Sequence, residues 1–166
     1  HVRLEKEGLH FVYEADALAL TNKFEPAKNL YETQIWKLRS EFPVNIKLLA
    51  VCYGRLGKLW LRAERYDRAI VEFDRQLSLA NEIDDKVEAA DAYYGIGSGC
   101  LGRNSYDDAI RYLDIAQGRL AAIGSAAKYC GCLRALREVY SRLQKTNIVR
   151  VFDERIAMEE RELDTK

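Results

Sequence analysis

Histidine and proline are scarce in this 166-residue chain, and neither charge is in surplus. Its two histidines, His1 and His10, both lie within the first ten residues. That leaves no histidine further along the chain for a Ser–His–Asp or Cys–His arrangement, and none close to the cysteines to complete a metal site. Lys plus Arg and Asp plus Glu stand at 26 each, a formal net charge of zero. A nucleic-acid binder carries a basic excess to neutralise phosphates, so nucleic acid is excluded as the main partner. No apolar run approaches the roughly 20 residues that span a bilayer, which excludes membrane insertion as a helix. A signal-peptide pattern is also missing, and because the first residue is His1 rather than Met, we expect a fragment of a longer protein.

Cysteine is sparse and poorly spaced for its structural uses. Cys52 and Cys100 fall in apolar helical stretches, where a free thiol behaves as a small core residue. The pair Cys130-x-Cys132 is tighter than the Cys-x₂₋₄-Cys step of a zinc site. We therefore expect no metal, no cofactor and no disulfide framework, and a reducing, intracellular compartment.

What the chain does have is apolar material and repetition. Hydrophobic residues make up 48%, enough for a core. With two prolines and ten glycines, long stretches are free to be helical. The length suits one compact domain or four helical hairpins of about 40 residues.

Two segments align without a gap, Glu64-Arg-Tyr-Asp-Arg-Ala-Ile70 and Asn104-Ser-Tyr-Asp-Asp-Ala-Ile110, which sets a repeat period of about 40 residues. Upstream, Leu56-Gly57 matches Ile96-Gly97 at the same offset. A weaker copy, Phe24-Glu-Pro-Ala27 followed by Tyr31, precedes Tyr66 by slightly more than this period, and the two additional residues fit a loop around Phe42-Pro43. A degenerate fourth copy keeps Leu136 and Tyr140 but has Val149 where alanine stands elsewhere. The spacing predicts helices over 2–21 and 24–40, 46–62 and 66–82, 86–102 and 106–122, and 126–145 and 147–163.

A mid-helix glycine costs roughly 1 kcal/mol against alanine. Its recurrence at Gly57 and Gly97 therefore signals close helix-to-helix approach, and Ala69 and Ala109 imply the same on the second helix. Trp60, Tyr66, Phe73, Tyr106 and Tyr112 supply bulk around those small residues.

The pattern Leu56-Gly57-x₂-Trp60…Tyr66-x₂-Ala69-x₃-Phe73 resembles the tetratricopeptide signature, well over residues 48–123 and loosely in the flanks. Standard repeats have about 34 residues, so the longer period found here is similar to the long-repeat group. That group includes the Partner of Inscuteable-type adaptors, rapsyn and ciliary tetratricopeptide proteins. The resemblance implies an all-α fold, a right-handed α-solenoid of about four antiparallel hairpins near 2–40, 46–82, 86–122 and 126–163, with residues 1–166 read as a single domain. It also implies a non-enzymatic scaffold whose first helices line a concave groove for another protein, in a cytoplasmic, cytoskeletal or ciliary setting.

Carried onto this sequence, the groove positions are Val51, Gly54, Arg55, Lys58, Leu61 and Arg62 in the second hairpin. The third gives Asp91, Tyr94, Gly95, Ser98, Leu101 and Gly102, the first Val12, Tyr13, Asp16 and Leu20, and the fourth Arg134, Glu138 and Arg142. Arg55, Lys58 and Arg62 are three and four apart and share one helix face. They suit either an ordinary solvated face or a partner segment, extended or helical, that mixes acidic and apolar residues. The asparagines of the chaperone-tail clamp are absent, since Arg55, Lys58, Gly95 and Ser98 stand in their places. Gly54, Gly95 and Gly102 are expected to thin the groove wall.

Other chemistry does not emerge. The run Gly95-x-Gly97-x-Gly99 sits inside a predicted helix, follows no strand and lacks the dinucleotide spacing. Asp84-Asp85 and Asp107-Asp108 fall at helix starts, where they cap free N–H groups. Tyr93, Tyr94 and Tyr129 read as packing residues, and Glu159-Glu-Arg-Glu162 as a solvated helix end. The alternative to a groove binder is a structural spacer that self-associates through the exposed ends of the array.

Overall fold

The computed structural model describes residues 2–165, so His1 lies outside it. Among the described residues the chain forms eight α-helices and no strand. They are α1 (Val2–Leu20), α2 (Phe24–Ser40), α3 (Ile46–Arg62), α4 (Tyr66–Glu82), α5 (Lys86–Gly102), α6 (Tyr106–Ala122), α7 (Ala126–Arg142) and α8 (Thr146–Asp164).

Six of the seven links are three residues long, and each turns on a middle residue of positive φ: Asn22, Glu64, Asp84, Asn104, Gly124 and Gln144. In each, the next N–H reaches back five residues, as Arg65 does to Trp60 (2.9 Å) and Ser105 to Cys100 (2.9 Å). This Schellman closure satisfies carbonyls that the helix end would leave free. It also explains why α7 stops at Arg142 rather than at 145. The Lys145 N–H bonds the Tyr140 carbonyl at 2.9 Å, and Gln144 has already left helical geometry. Paired 17-residue helices and three-residue links fill the repeat period. With links this short, the length in excess of a standard repeat lies in the helices. The α2–α3 link, residues 41–45, holds the two additional residues expected near Pro43.

Caps sharpen two starts. The Asn45 side chain accepts the Leu48 N–H at 3.0 Å, and Asp85 accepts those of Val87 (3.1 Å) and Glu88 (3.0 Å).

The core is a continuous seam of small and large residues. Ala27, Ala69 and Ala109 are fully buried, as are Phe73 and Leu113, and Tyr31 nearly so. A Cβ on Gly57 would lie 2.9 Å from the Phe73 ring, and one on Gly97 would lie 2.6 Å from Leu113. Both glycines thus mark the close approach within a hairpin that their mid-helix placement predicts. Every helix packs on its neighbours in sequence. In addition the backbones of α1 and α3, α3 and α5, and α5 and α7 approach each other, while among the described residues no second helix of a hairpin brings its backbone as close to the next second helix. The first helices are drawn together on the inner side of the curve, and the second helices fan out behind them.

Candidate functional site

Along the inner face, carboxylates lie beneath and cations lie above. Asp16 of α1 has a side chain only 24% exposed; it meets Arg55 of α3 at 3.7 Å and accepts the Tyr31 hydroxyl of α2. Burial, together with that carboxylate, pushes the Tyr31 phenol above its ordinary range. Asp91 of α5 is buried, yet it holds the Lys58 ammonium of α3 at 2.8 Å and the Lys128 ammonium of α7 at 2.8 Å. Burial by itself would raise the Asp91 carboxyl; the two ammoniums outweigh it and hold the group at about 2. Lys58, Asp91 and Lys128 run diagonally, from near the end of α3 to the start of α7.

Below Asp91 sits Gln76 of α4, almost fully buried. Its amide nitrogen donates to Glu88 at 2.8 Å and, more weakly, to Asp91 at 3.4 Å, while its oxygen has no donor. The backbone of Gly54 makes room for this amide, since a Cβ there would come within 2.5 Å of it.

The residues singled out from sequence are distributed as follows. Asp16, Leu20, Arg55, Lys58 and Arg62 line one small cavity of about 140 Å³ together with Tyr31. Tyr13 is exposed, and Val51, Leu61, Tyr94 and Leu101 are half-buried against the core. Ser98 donates to the Tyr94 carbonyl at 2.8 Å. Arg134 is drawn to Glu160 of α8. Arg142 bonds Glu138 at 2.8 Å and reaches Asn104 at 3.0 Å. Two participants were not foreseen: Lys128 precedes the repeat positions considered, and Gln76 lies on a second helix.

The expectation that Gly54, Gly95 and Gly102 thin the groove wall is corrected. Each faces a side chain of α4: a Cβ at Gly95 would lie 2.4 Å from the Phe73 ring, and one at Gly102 2.2 Å from Tyr66. Gly99 likewise faces Ile70 at 2.7 Å. Gly95, Gly99 and Gly102 of α5 together seat α4, whereas Gly97 between them faces Leu113 of α6.

Larger cavities open elsewhere. One of about 540 Å³ lies between α2 and α4, bordered by the exposed Trp36 and floored by Tyr53 and Leu56. Here α4 carries Glu72 where α6 carries Tyr112, whose ring packs on Tyr93 with centroids 6.3 Å apart. Burial raises the Glu72 carboxyl, the adjoining Glu32 adds to this, and Arg75 at 3.0 Å opposes both. Another of about 560 Å³ lies at the α2–α3 link. Among the described residues no cluster of His, Cys, Asp and Glu could hold a metal ion, and no helix is long and apolar enough to cross a membrane.

The fold has counterparts among solved structures. Aspartyl phosphate phosphatase F from Bacillus subtilis superposes with a TM-score of 0.86 at 14% identity, over 96% of this chain and 41% of that one. RapI in its apo form gives 0.86 at 14%, over 96% and 58%. The TPR domain of Arabidopsis FLU gives 0.62 at 21%, over 70% and 96%. No family model matches the sequence, and no curated protein does. The chain spans 41% and 58% of the lengths of the first two, and at these identities the likeness is one of fold. It defines the class: an all-α helical repeat of the tetratricopeptide type, a solenoid of stacked hairpins.

Proposed function

We propose that this chain is a non-catalytic scaffold that holds a segment of a partner protein along the inner face of α1, α3, α5 and α7. One observation carries this. The side chains of Arg55, Lys58 and Lys128 there are 43%, 36% and 43% exposed, while the carboxylates that balance them, Asp16 and Asp91, are 24% and 7% exposed. A neutral chain thus presents a cationic strip in a concave setting, with Val51, Leu61, Tyr94 and Leu101 half-buried beside it. Such a strip suits a segment that alternates acidic and apolar residues. The shape shared with the TPR domain of FLU supports a protein partner. The buried free thiols agree with a reducing, cytoplasmic setting.

The test is affinity capture with the wild-type chain and with the double variant Arg55→Glu/Arg62→Glu. Partners held by the groove are lost from the variant while its helix content stays unchanged. Equal recovery of the same partners by both proteins rules the groove out.

A spacer that self-associates end to end is less well supported at the α8 end. Where α4 seats the next hairpin with Tyr66, Ile70 and Phe73, α8 carries Thr146, Arg150 and Asp153. Light scattering across concentrations separates the two readings, because only the spacer gains mass.

A further inference from the structure

The acceptor left without a donor in the cluster around Asp91, the Gln76 amide oxygen, is buried; the remaining unused capacity, on the exposed side chains, is donor capacity. The carboxylate is 7% exposed and fully engaged. One oxygen takes Lys58 at 2.8 Å and Gln76 at 3.4 Å, and the other takes Lys128 at 2.8 Å and Lys58 at 3.1 Å. The nearby Glu88 carboxylate is turned to the Gln76 amide. The ammoniums are different. Each carries three N–H groups, Asp91 takes one or two from each, and the side chains remain 36% and 43% exposed. Because both nitrogens contact the same carboxylate, they are held within a few ångströms of each other, facing the groove. Two like charges fixed side by side, with donors still free, are matched by an anion that bridges them.

We propose that Lys58 and Lys128 together form an anchor for one acidic side chain of the partner segment, with Asp91 as the residue that positions them. This rests on the groove reading above and makes it specific: the anchor binds a carboxylate through two ammoniums from non-adjacent helices, α3 and α7, bridged beneath by α5. It is one part of that cationic strip: Lys58 borders the same small cavity as Arg55 and Arg62, which lie nearer α1, and Lys128 extends the strip to α7. Asp91 also explains why the lysine pair is tolerated, since without a common acceptor the two ammoniums repel each other.

The probe is a glutamate blocked at both its amino and α-carboxyl groups, titrated into the full chain while the lysine side-chain NMR signals are followed. Lys58 and Lys128 shift together and saturably with one apparent constant, whereas the exposed Lys37 and Lys145 do not. Lys58→Met or Lys128→Met weakens the response of the remaining lysine about tenfold, as expected for the loss of one charge-assisted bond. Asp91→Asn, checked for folding by circular dichroism, splits the joint response into two unequal ones. Uniform small shifts of all lysines, or a Lys128 response untouched by Lys58→Met, overturns the anchor. The probe needs no natural partner, so a failed anchor alongside charge-reversal loss of captured partners leaves the groove standing, and the reverse pattern is equally distinguishable.

Discussion

The Phe73 ring of α4 lies against the backbone of Gly95 in α5, so close that a Cβ on Gly95 would come within 2.4 Å of a ring carbon. The same ring also presses on Gly57 of α3, where a Cβ would lie at 2.9 Å. One fully buried aromatic therefore sets the spacing of three helices, within its own hairpin and across to the next. The inner-face network depends on that spacing, because Lys58 reaches Asp91 across the α3–α5 gap.

Gly95→Ala is expected to destabilise the fold by about 3 kcal/mol, since the added methyl meets a ring with no room to retreat. Gly118→Ala provides the opposite control. That glycine is helical and exposed, with nothing within 4 Å of its Cβ position, so alanine stabilises by about 1 kcal/mol. Chemical denaturation of both variants checks the pair, and adding Phe73→Leu to Gly95→Ala recovers part of the loss.

Phe73→Ala removes the spacer itself, leaving a void lined by two glycines that cannot fill it. The expected cost is about 4 kcal/mol. A change in the denaturant midpoint equal to that of an exposed substitution such as Val71→Ala would show that the ring bears little of the packing.

Asp91 contributes to the acid limb of stability, as does Asp85, whose carboxyl is also held below its ordinary range. The folded Asp91 carboxyl sits at about 2, below the ordinary 3.8, so its contribution is present above about pH 4 and disappears as pH falls toward 2. That contribution is about 2 kcal/mol. Asp91→Asn lowers stability at neutral pH and flattens the decline between pH 4 and pH 2, measured by denaturation at a series of pH values.

The thiols are expected to be inert. All four cysteines are buried, and burial pushes Cys52 and Cys132 up to about 12. Under native conditions a thiol reagent labels them only as fast as the chain opens, and all four react at once in denaturant. Rapid labelling of any of them in the folded protein contradicts this packing.

Much of the fold was legible because its signals are local. The echo of Tyr66 and Ala69 in Tyr106 and Ala109, the slightly longer-spaced echo in Phe24 and Ala27, and the mid-helix Gly57 and Gly97 located the hairpins within a few residues. Errors fell at ends such as that of α7, where a positive φ at Gln144 rather than any glycine or proline stops the helix. Site geometry was less accessible. Arg55 and Asp16 were both singled out, but nothing local joins Lys58 to Asp91 and Lys128, which meet only because α3, α5 and α7 stack with a diagonal offset.

By itself the sequence determined that helices form, where they pair and how many hairpins follow, because hydrophobic period, turn residues and small-residue spacing act over neighbouring positions. Only the tertiary structure decided which way each side chain faces between hairpins. Gly95 and Gly102 were placed toward the groove by repeat position alone, yet they receive Phe73 and Tyr66 of the preceding hairpin. The angle at which one hairpin lies on the next is set by the combined fit of all those contacts. No single stretch of chain encodes it.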